Sequence, residues 1–133
     1  MSPELQNQLF EKYPEQFKNL KYIECGDGWY DLLYRLCNTI QNRIDSNLRQ
    51  GNESNFYWVQ IKEKFSGLRA YEEGSDDYMR GAISMAETMS YSICEYSGEK
   101  GKLRKEKIGK DGQPIRAWMK TLSDKEAEKE GYL

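Results

Sequence analysis

One stretch, from Gly28 to Leu48, constrains the fold of this chain more than any other part of its sequence. Its apolar residues recur at steps of three and four, which is the period of an α-helix. They are Trp29, Leu32, Leu33, Leu36, Cys37, Ile40, Ile44 and Leu48. We therefore predict a long amphipathic helix. An apolar face this wide needs a sheet or several helices to pack against, so it should form the centre of the core.

Residues 56–71 have the pattern of a β-hairpin. The first run is rich in aromatic and β-branched residues, and Tyr57, Val59 and Ile61 recur at period two. This pattern predicts that the three side chains share one face of a strand. Ser66 and Gly67 are predicted to form the turn before the second strand.

A second amphipathic helix is predicted after this hairpin. Ser75 is the expected N-cap, with Asp76 and Asp77 in the first turn. The apolar stripe of this helix is Met79, Ala82, Ile83, Ala86, Met89 and Ile93. We expect the helix to end near residues 94–98 and to lie beside the first helix or on the same sheet face.

The C-terminal third predicts a second hairpin and a short helix. Two strands, 102–108 and 115–120, flank a loop that contains an Asp-Gly pair. Ser123 begins a capping box that opens the last helix, and Gly131 is expected to end it.

These elements together predict one α+β domain over residues 1–133. Its parts are an N-terminal segment of one or two short helices (2–20), a helix-hairpin-helix core (28–98), and a basic hairpin with a short helix (99–133). Two main amphipathic helices should cover a small antiparallel sheet.

Composition excludes several functions. The chain has no histidine, which removes the commonest general base and the commonest metal ligand, so a Ser-His-Asp or Cys-His site is impossible. Three cysteines without close pairing favour a reducing compartment. No apolar run reaches the length of a membrane span, and no signal-peptide pattern opens the chain. We expect a cytoplasmic protein that is not an enzyme, has no cofactor and does not enter a membrane.

Charge is distributed unevenly, although the net charge is only −2. The segment from Lys100 to Lys120 holds eight basic residues and two acids. Its cations and one tryptophan are the predicted contact residues: Lys100, Lys102, Arg104, Lys105, Lys107, Lys110, Arg116, Trp118 and Lys120. A cationic ribbon with an aromatic side chain suits a phosphate backbone with a stacked base. The alternative is a solvated hairpin whose lysines prevent edge-to-edge aggregation.

The order Cys94-x-x-Ser97, a hairpin and then Ser123 at a helix start has the spacing of a small zinc module. Only Cys94 carries sulfur, and serine hydroxyls are poor zinc ligands, so we predict a degenerate knuckle without metal. The group Lys62-Glu63-Lys64 with Arg69 is interpreted as strand-face ion pairs. The acidic residues Glu72, Glu73, Asp76 and Asp77 could chelate a cation or imitate phosphates, but helix N-terminal preference already explains the two aspartates.

Several of these segments resemble a family of small phage and prophage proteins. Those proteins typically carry G-W-Y-x-L, V-K-E-K-F-G-x-L-R and a C-terminal C-x-x-C-G…W-x-x-T-L-C-D-x-H-A knuckle. The matching segments here are 24–32, 59–69, 94–98 and 118–127. This chain departs at Ser97, Ser123 and Glu126, where the family has its second Cys, its third Cys and its His. The resemblance implies a viral context and no general activity.

From this context we expect a non-enzymatic phage inhibitor of a bacterial defence system, and most concretely an anti-CRISPR protein. Its partner would be an RNA-guided nuclease or the guide RNA, contacted through the basic hairpin. Two alternatives stay open. One is a DNA- or RNA-binding accessory protein, and the other is a protein that sequesters a small nucleotide in a pocket between the two main helices and the sheet. The sequence leaves the oligomeric state unknown.

Overall fold

The computed structural model describes residues 1–133 and has the predicted α+β fold, with helices and two separate two-stranded antiparallel sheets. The elements in order are α1 (Pro3–Lys12), a 3-10 turn (Asp27–Trp29), α2 (Tyr30–Arg49), β1 (Tyr57–Lys64), β2 (Gly67–Glu73), α3 (Asp77–Ser90), β3 (Lys102–Ile108), β4 (Pro114–Leu122) and α4 (Asp124–Glu130). None of the helices is both long and apolar enough to cross a bilayer.

The α2 stripe forms the centre of the main core, as predicted, but only over its first three turns. The stripe residues from Trp29 to Ile40 are buried, whereas Ile44 is half-buried and Leu48 is 53% exposed. The reason is the position of α3, whose N-cap Asp76 contacts α2 at Asn47. Leu48 therefore lies beyond the point where the neighbouring helix begins, and nothing covers it.

Helix α3 begins one residue later than predicted and ends earlier. Its N-cap is Asp76 and not Ser75, because the Asp76 carboxylate accepts the Met79 N–H at 2.9 Å. The same carboxylate accepts a hydrogen bond from Arg43 of α2 at 2.8 Å. Burial raises the pKa of Asp76, but these donors outweigh it and hold the pKa below its usual value. The helix ends at Ser90, so Ile93 lies in the following turn.

The β1–β2 hairpin is confirmed, but its face and its turn were predicted wrongly. The register shifts between Trp58 and Gln60, so Val59 is an extra residue in β1 and is 46% exposed. This bulge changes the alternation, and Trp58 and Ile61 are the β1 side chains that enter the core. The turn is Phe65-Ser66, since Lys64 pairs with Gly67.

The N-terminal segment contains one helix, α1, followed by turns through residue 19 instead of a second helix. Its Gln16 is fully buried and joins three elements. The amide nitrogen donates to the Cys37 carbonyl of α2 at 2.9 Å, and the amide oxygen accepts from the Trp58 indole of β1 at 3.1 Å. The sequence predicted Gln16 only as a polar residue of a second short helix, and nothing in the local pattern indicated this role.

The C-terminal third matches the prediction closely. Strand β3 has the predicted bounds, and β4 extends two residues further, to Leu122. Ser123 caps α4 by accepting the Glu126 N–H at 3.2 Å, and Gly131 ends the helix with a φ of +78°. Leu122, Ala127 and Cys94 form a small second core that is separate from the main one.

Candidate interaction site

The predicted contact residues lie on the β3–β4 hairpin, which contains a wide irregularity. Arg104 pairs with Lys120 and Glu106 with Arg116, so Lys105 alone faces three residues of β4, Ala117–Met119. Such a bulge bends a strand and changes the direction of its side chains. Trp118 is at its centre and is 67% exposed.

Arg104 is not available for a partner, which corrects the sequence interpretation. Its guanidinium donates to the Leu122 carbonyl at 3.1 and 3.3 Å and to the Asp124 carboxylate at 2.7 Å. Only 12% of its side chain is exposed. Arg104 therefore holds the start of α4 against β3, and its hydrogen bond, together with the charges of Lys102 and Arg104, keeps the pKa of Asp124 below the usual value.

Lys120 is also structural. Its ammonium lies 3.5 Å from Oε1 of Glu95, and the two side chains are 21% and 5% exposed. The other Glu95 oxygen accepts the Gly26 N–H at 3.0 Å. Burial lowers the pKa of Lys120, but its hydrogen bond to Tyr96 and the Glu95 charge outweigh this, and the net pKa is raised.

Lys107 is half-buried beneath the C-terminus. Its ammonium lies 4.6 Å from the centre of the Tyr132 ring, and its backbone forms a β-bridge with the same residue. The Leu133 N–H donates to the Glu106 carbonyl at 2.9 Å. The end of the chain thus covers one edge of β3, and Lys107 contributes to that cover.

Five of the predicted cations remain exposed, and with Trp118 they form what we call the outer cationic surface. Its members are Lys100, Lys102, Lys105, Lys110, Arg116 and Trp118. None of its cations is in an ion pair within 4.0 Å, although Glu106 lies directly opposite Arg116 in the register. The structure thus divides the predicted set into an exposed group and a group that stabilises the fold.

Phe65 lies beside Trp118, although the sequence analysis placed it in a strand. It is 57% exposed, and together with residues 116–119 it lines a cleft of about 170 Å³. Its φ is +51° and that of Ser66 is +74°, which identifies the turn as the mirror-image type favoured by Asn and Gly. A bulky residue with positive φ is unusual. The sequence does not indicate it, because a Phe before Ser-Gly is typical of a strand end.

Residues 94–98 form a turn around Cys94, in which the Gly98 N–H donates to the Cys94 carbonyl at 2.9 Å. The Ser97 N–H donates to the Cys94 sulfur at 3.4 Å. Burial raises the pKa of this thiol, but hydrogen bonds from the Ser97 side chain and from the backbone of Ser123, Ser97 and Tyr96 lower it below its usual value. Burial instead raises the pKa of the Cys25 thiol to about 12 and also raises that of Cys37.

The donor set of this knuckle does not fit zinc. One thiol, Cys94, is accompanied by the hydroxyls of Ser97 and Ser123, whereas structural zinc sites use four Cys or His ligands. The Ser123 hydroxyl is engaged as the helix cap. The knuckle is therefore described by its hydrogen bonds alone.

The first motif of the phage-family resemblance packs directly on this knuckle. The Gly28 N–H donates to the Glu95 carbonyl at 2.7 Å. A Cβ on Gly28 would lie 2.1 Å from the Cys94 carbonyl oxygen and 2.5 Å from the Gly98 nitrogen. Trp29 donates from its indole to the Ile93 carbonyl at 2.8 Å. Gly28 is thus required because the backbones of residues 28 and 94–98 approach closely, and Trp29 adds an indole hydrogen bond to the same region.

The second and fourth motifs meet at the same place. Thr121 donates from its hydroxyl to the Ser66 carbonyl at 2.7 Å, in a buried contact. Gly67 has no room for a side chain, because a Cβ there would be 2.5 Å from the Tyr91 ring. We call the region formed by Gly28, Ser66-Gly67, Cys94–Gly98 and Lys120-Thr121 the knuckle junction.

The other charged candidates are structural or exposed. The predicted ion pairs among Lys62, Glu63, Lys64 and Arg69 do not form. Glu63 instead accepts the Ser66 N–H at 2.8 Å, and Arg69 donates to the Leu68 carbonyl and to the Tyr91 hydroxyl. The four acidic residues do not form one cluster, because Glu72 and Glu73 lie at the end of β2 whereas Asp76 is the N-cap of α3.

The largest cleft, about 400 Å³, does not lie between the helices and the sheet, where a nucleotide pocket would have been expected. It is lined by Leu5 of α1, the first turns of α2, Met89 near the end of α3, and the knuckle. Its polar lining includes Asp27, Asp31, Arg35 and Ser97. The space between the helices and the β1–β2 sheet is filled by the main core.

Comparison with known proteins adds no identification: no family model, no curated protein and no solved structure matches the chain.

Proposed function

We propose that this protein is a non-enzymatic interaction protein that binds RNA or a ribonucleoprotein through its outer cationic surface. The observation that carries the proposal is the division of the hairpin charges. Arg104 and Lys120 have partners inside the protein, whereas Lys105, Lys110 and Arg116 are exposed on the same hairpin as the exposed Trp118 and have no salt-bridge partner. Unpaired cations with an aromatic side chain suit a phosphate backbone and its bases.

The biological setting of the proposal is phage inhibition of a bacterial defence system in the host cytoplasm. It rests on the resemblance of segments 24–32, 59–69, 94–98 and 118–127 to motifs of small phage proteins. The most concrete form is an anti-CRISPR protein, which would occupy an RNA-guided nuclease or cover its guide RNA. A small protein without catalytic side chains can inhibit by occupancy alone, and a cationic surface is suited to compete for RNA.

The test is affinity capture from a host lysate, with bound proteins and RNA identified. Capture by the wild-type protein is compared with that by K100E/K105E/K110E, which reverses three exposed lysines. The matched control, K21E/R49E/K125E, reverses three exposed cations elsewhere. We expect one defence nuclease, with or without guide RNA, to be captured by the wild type and the control and lost by the hairpin variant.

Other outcomes of the capture contradict the proposal or redirect it. Capture of bulk nucleic acid that moderate salt releases would favour the DNA- or RNA-binding accessory protein, because phosphate contacts weaken steeply with salt. Equal capture by the hairpin variant and the control would exclude the outer cationic surface as the binding site. Capture of neither protein nor RNA would contradict the proposal.

A further inference from the structure

Two unusual features of the molecule lie on the two sides of one cleft. Phe65 has a positive φ at an exposed turn, and Trp118 lies at the centre of a strand bulge, also exposed. They come from different hairpins that are tied together by the Thr121–Ser66 hydrogen bond. The protein therefore holds two large aromatic side chains at the surface on rigid backbone.

Folding alone does not explain Phe65. Both central residues of its turn need positive φ, a conformation that Asn and Gly adopt at lower cost than Phe. Ser66 is accounted for, because it is buried and both its N–H and its carbonyl are hydrogen-bonded. Phe65 leaves 57% of its surface in water. Strain that folding does not repay is a feature of binding sites.

The lining of the cleft is cationic, although Glu63 accepts the Ser66 N–H of the adjoining turn and Glu106 lies opposite Arg116 in the register. Arg116 is part of its lining, and no carboxylate is. The Lys64 ammonium lies 5.8 Å from the centre of the Phe65 ring, and Lys105 faces the Trp118 bulge across the strand pair. The cleft thus combines flat apolar walls with three nearby cations.

We propose that this cleft binds single-stranded nucleic acid, with one unpaired base stacked on Phe65 and Trp118 and its phosphates beside Lys64, Lys105 and Arg116. The inference deepens the proposed function and rests on it, since it names the ligand class of the same surface. The size of the cleft favours a flat ring over a peptide helix, and its charge favours an anionic chain. Stacking tolerates any base, so binding should depend on an unpaired strand and not on its sequence.

Trp118 itself reports the binding. The other two tryptophans, Trp29 and Trp58, are fully buried, so a quencher in solvent and a stacked base act mainly on Trp118. We expect its fluorescence to be quenched by a short oligouridylate or oligoadenylate. The same strands annealed into a duplex should bind several-fold more weakly. Absence of quenching, or equal affinity for strand and duplex, would overturn the inference.

Two variants separate binding from folding. W118A lacks the fluorescent reporter, so its binding is followed by the anisotropy of a labelled oligonucleotide, and it should be weaker by about 5- to 150-fold, the range for losing one stacked base. F65N should weaken it by a similar factor and at the same time raise the thermal midpoint, because Asn suits the turn. Y22A removes another exposed aromatic side chain and should leave binding unchanged. Affinity of F65N equal to that of the wild type would refute the role of Phe65.

Failure here is distinguishable from failure of the proposed function. If K100E/K105E/K110E loses the cellular target while F65N and W118A retain it, the outer cationic surface is the interface but the aromatic cleft is not. In that case the surface binds a protein partner or duplex phosphates, and the stacking proposal is wrong.

Discussion

The knuckle junction and the outer cationic surface share one strand but follow opposite rules. In the junction, Lys120 and Thr121 are tied to Glu95 and Ser66, and glycine is required where backbones touch. On the same strand, Arg116 and Trp118 lie four and two residues before Lys120, and both are exposed without an ion pair. Whether a charged residue of this hairpin stabilises the fold or stays free for a partner therefore depends on its contacts in three dimensions and not on its sequence neighbours.

This contrast changes how the phage-like motifs are interpreted. The quoted segments meet in the junction, where they supply close contacts and buried hydrogen bonds. They describe how the fold is joined together. Apart from Trp118, the residues of the outer cationic surface lie outside the quoted motif segments. The proposed binding of RNA or a ribonucleoprotein depends on these residues.

The largest effect is expected for G28A. The added Cβ would meet the Cys94 carbonyl at 2.1 Å, and backbone cannot move aside as a flexible side chain can. We expect a loss of about 3 kcal/mol or more in the free energy of unfolding, measured with urea. The control is G81A in α3, where nothing lies within 4 Å, and helix propensity predicts a gain of up to about 1 kcal/mol. A tolerated G28A would show that the junction is loose.

Introducing metal ligands at Ser97, Ser123 and Glu126 tests whether the backbone around Cys94 has the geometry of a metal knuckle. In S97C/S123C/E126H, the backbone donors that surround Cys94 would orient and stabilise metal-bound thiolates. We expect one Zn²⁺ per chain. Free metal at a hundredfold over its dissociation constant should stabilise the variant by about 2.7 kcal/mol. The same variant with C94S added is the control, and zinc binding that is unaffected by C94S would place the metal elsewhere.

Removal of one buried charge should have a smaller effect. K120M leaves Glu95 buried without its cation, and we expect a loss of about 2 kcal/mol, less than for a fully buried pair because the Lys120 side chain is 21% exposed. K105M, on the exposed side of the same hairpin, should change stability by less than about 0.5 kcal/mol. Equal losses would erase the distinction between the two regions.

The pH dependence of this difference gives an independent check. The folded-state pKa of Lys120 is raised, so its contribution is complete below the unfolded pKa, near 10.4, and is lost as pH rises through the folded pKa. The stability difference between wild type and K120M should therefore be constant from pH 7 to 9 and shrink above about pH 10.5. A difference that shrinks already near pH 8 would contradict the Glu95–Lys120 pairing.

Sequence reasoning predicted the α+β class, both hairpins and the two main helices, because each is encoded by local periodicity and caps. The prediction of the β1–β2 hairpin was wrong in its face, because one extra residue shifts the strand register, and in its turn. The Val59 bulge separates Val59 from Ile61, which was predicted on the same face and enters the core, and the turn is Phe65-Ser66, with Gly67 packed against Tyr91. No local pattern contains those contacts, since they depend on the distant α3 and its following turn.

The hairpin that carries the predicted contact residues forms as expected, but Arg104, Lys107 and Lys120 have contacts within the protein. The hairpin and Trp118 follow from composition, whereas the loss of Arg104 and Lys120 to internal partners depends on Asp124 and Glu95. Phe65 was missed because a Phe before Ser-Gly is typical of a strand end. Its positive φ becomes visible only when the pairing of Lys64 with Gly67 fixes a two-residue turn.

The smallest effect is expected for K100E/K105E/K110E, and it decides how any loss of binding is interpreted. Lys102 and Arg116 are left unchanged because Lys102 acts on Asp124 and Arg116 lies opposite Glu106. The three reversed lysines are exposed and have no ion-pair partner, so the free energy of unfolding should change by less than about 0.5 kcal/mol. Any residual difference should vanish at 1 M salt, where the Debye length is about 3 Å. If the variant unfolds more readily by more than this, the lysines belong to the fold, and lost capture would no longer identify a binding surface.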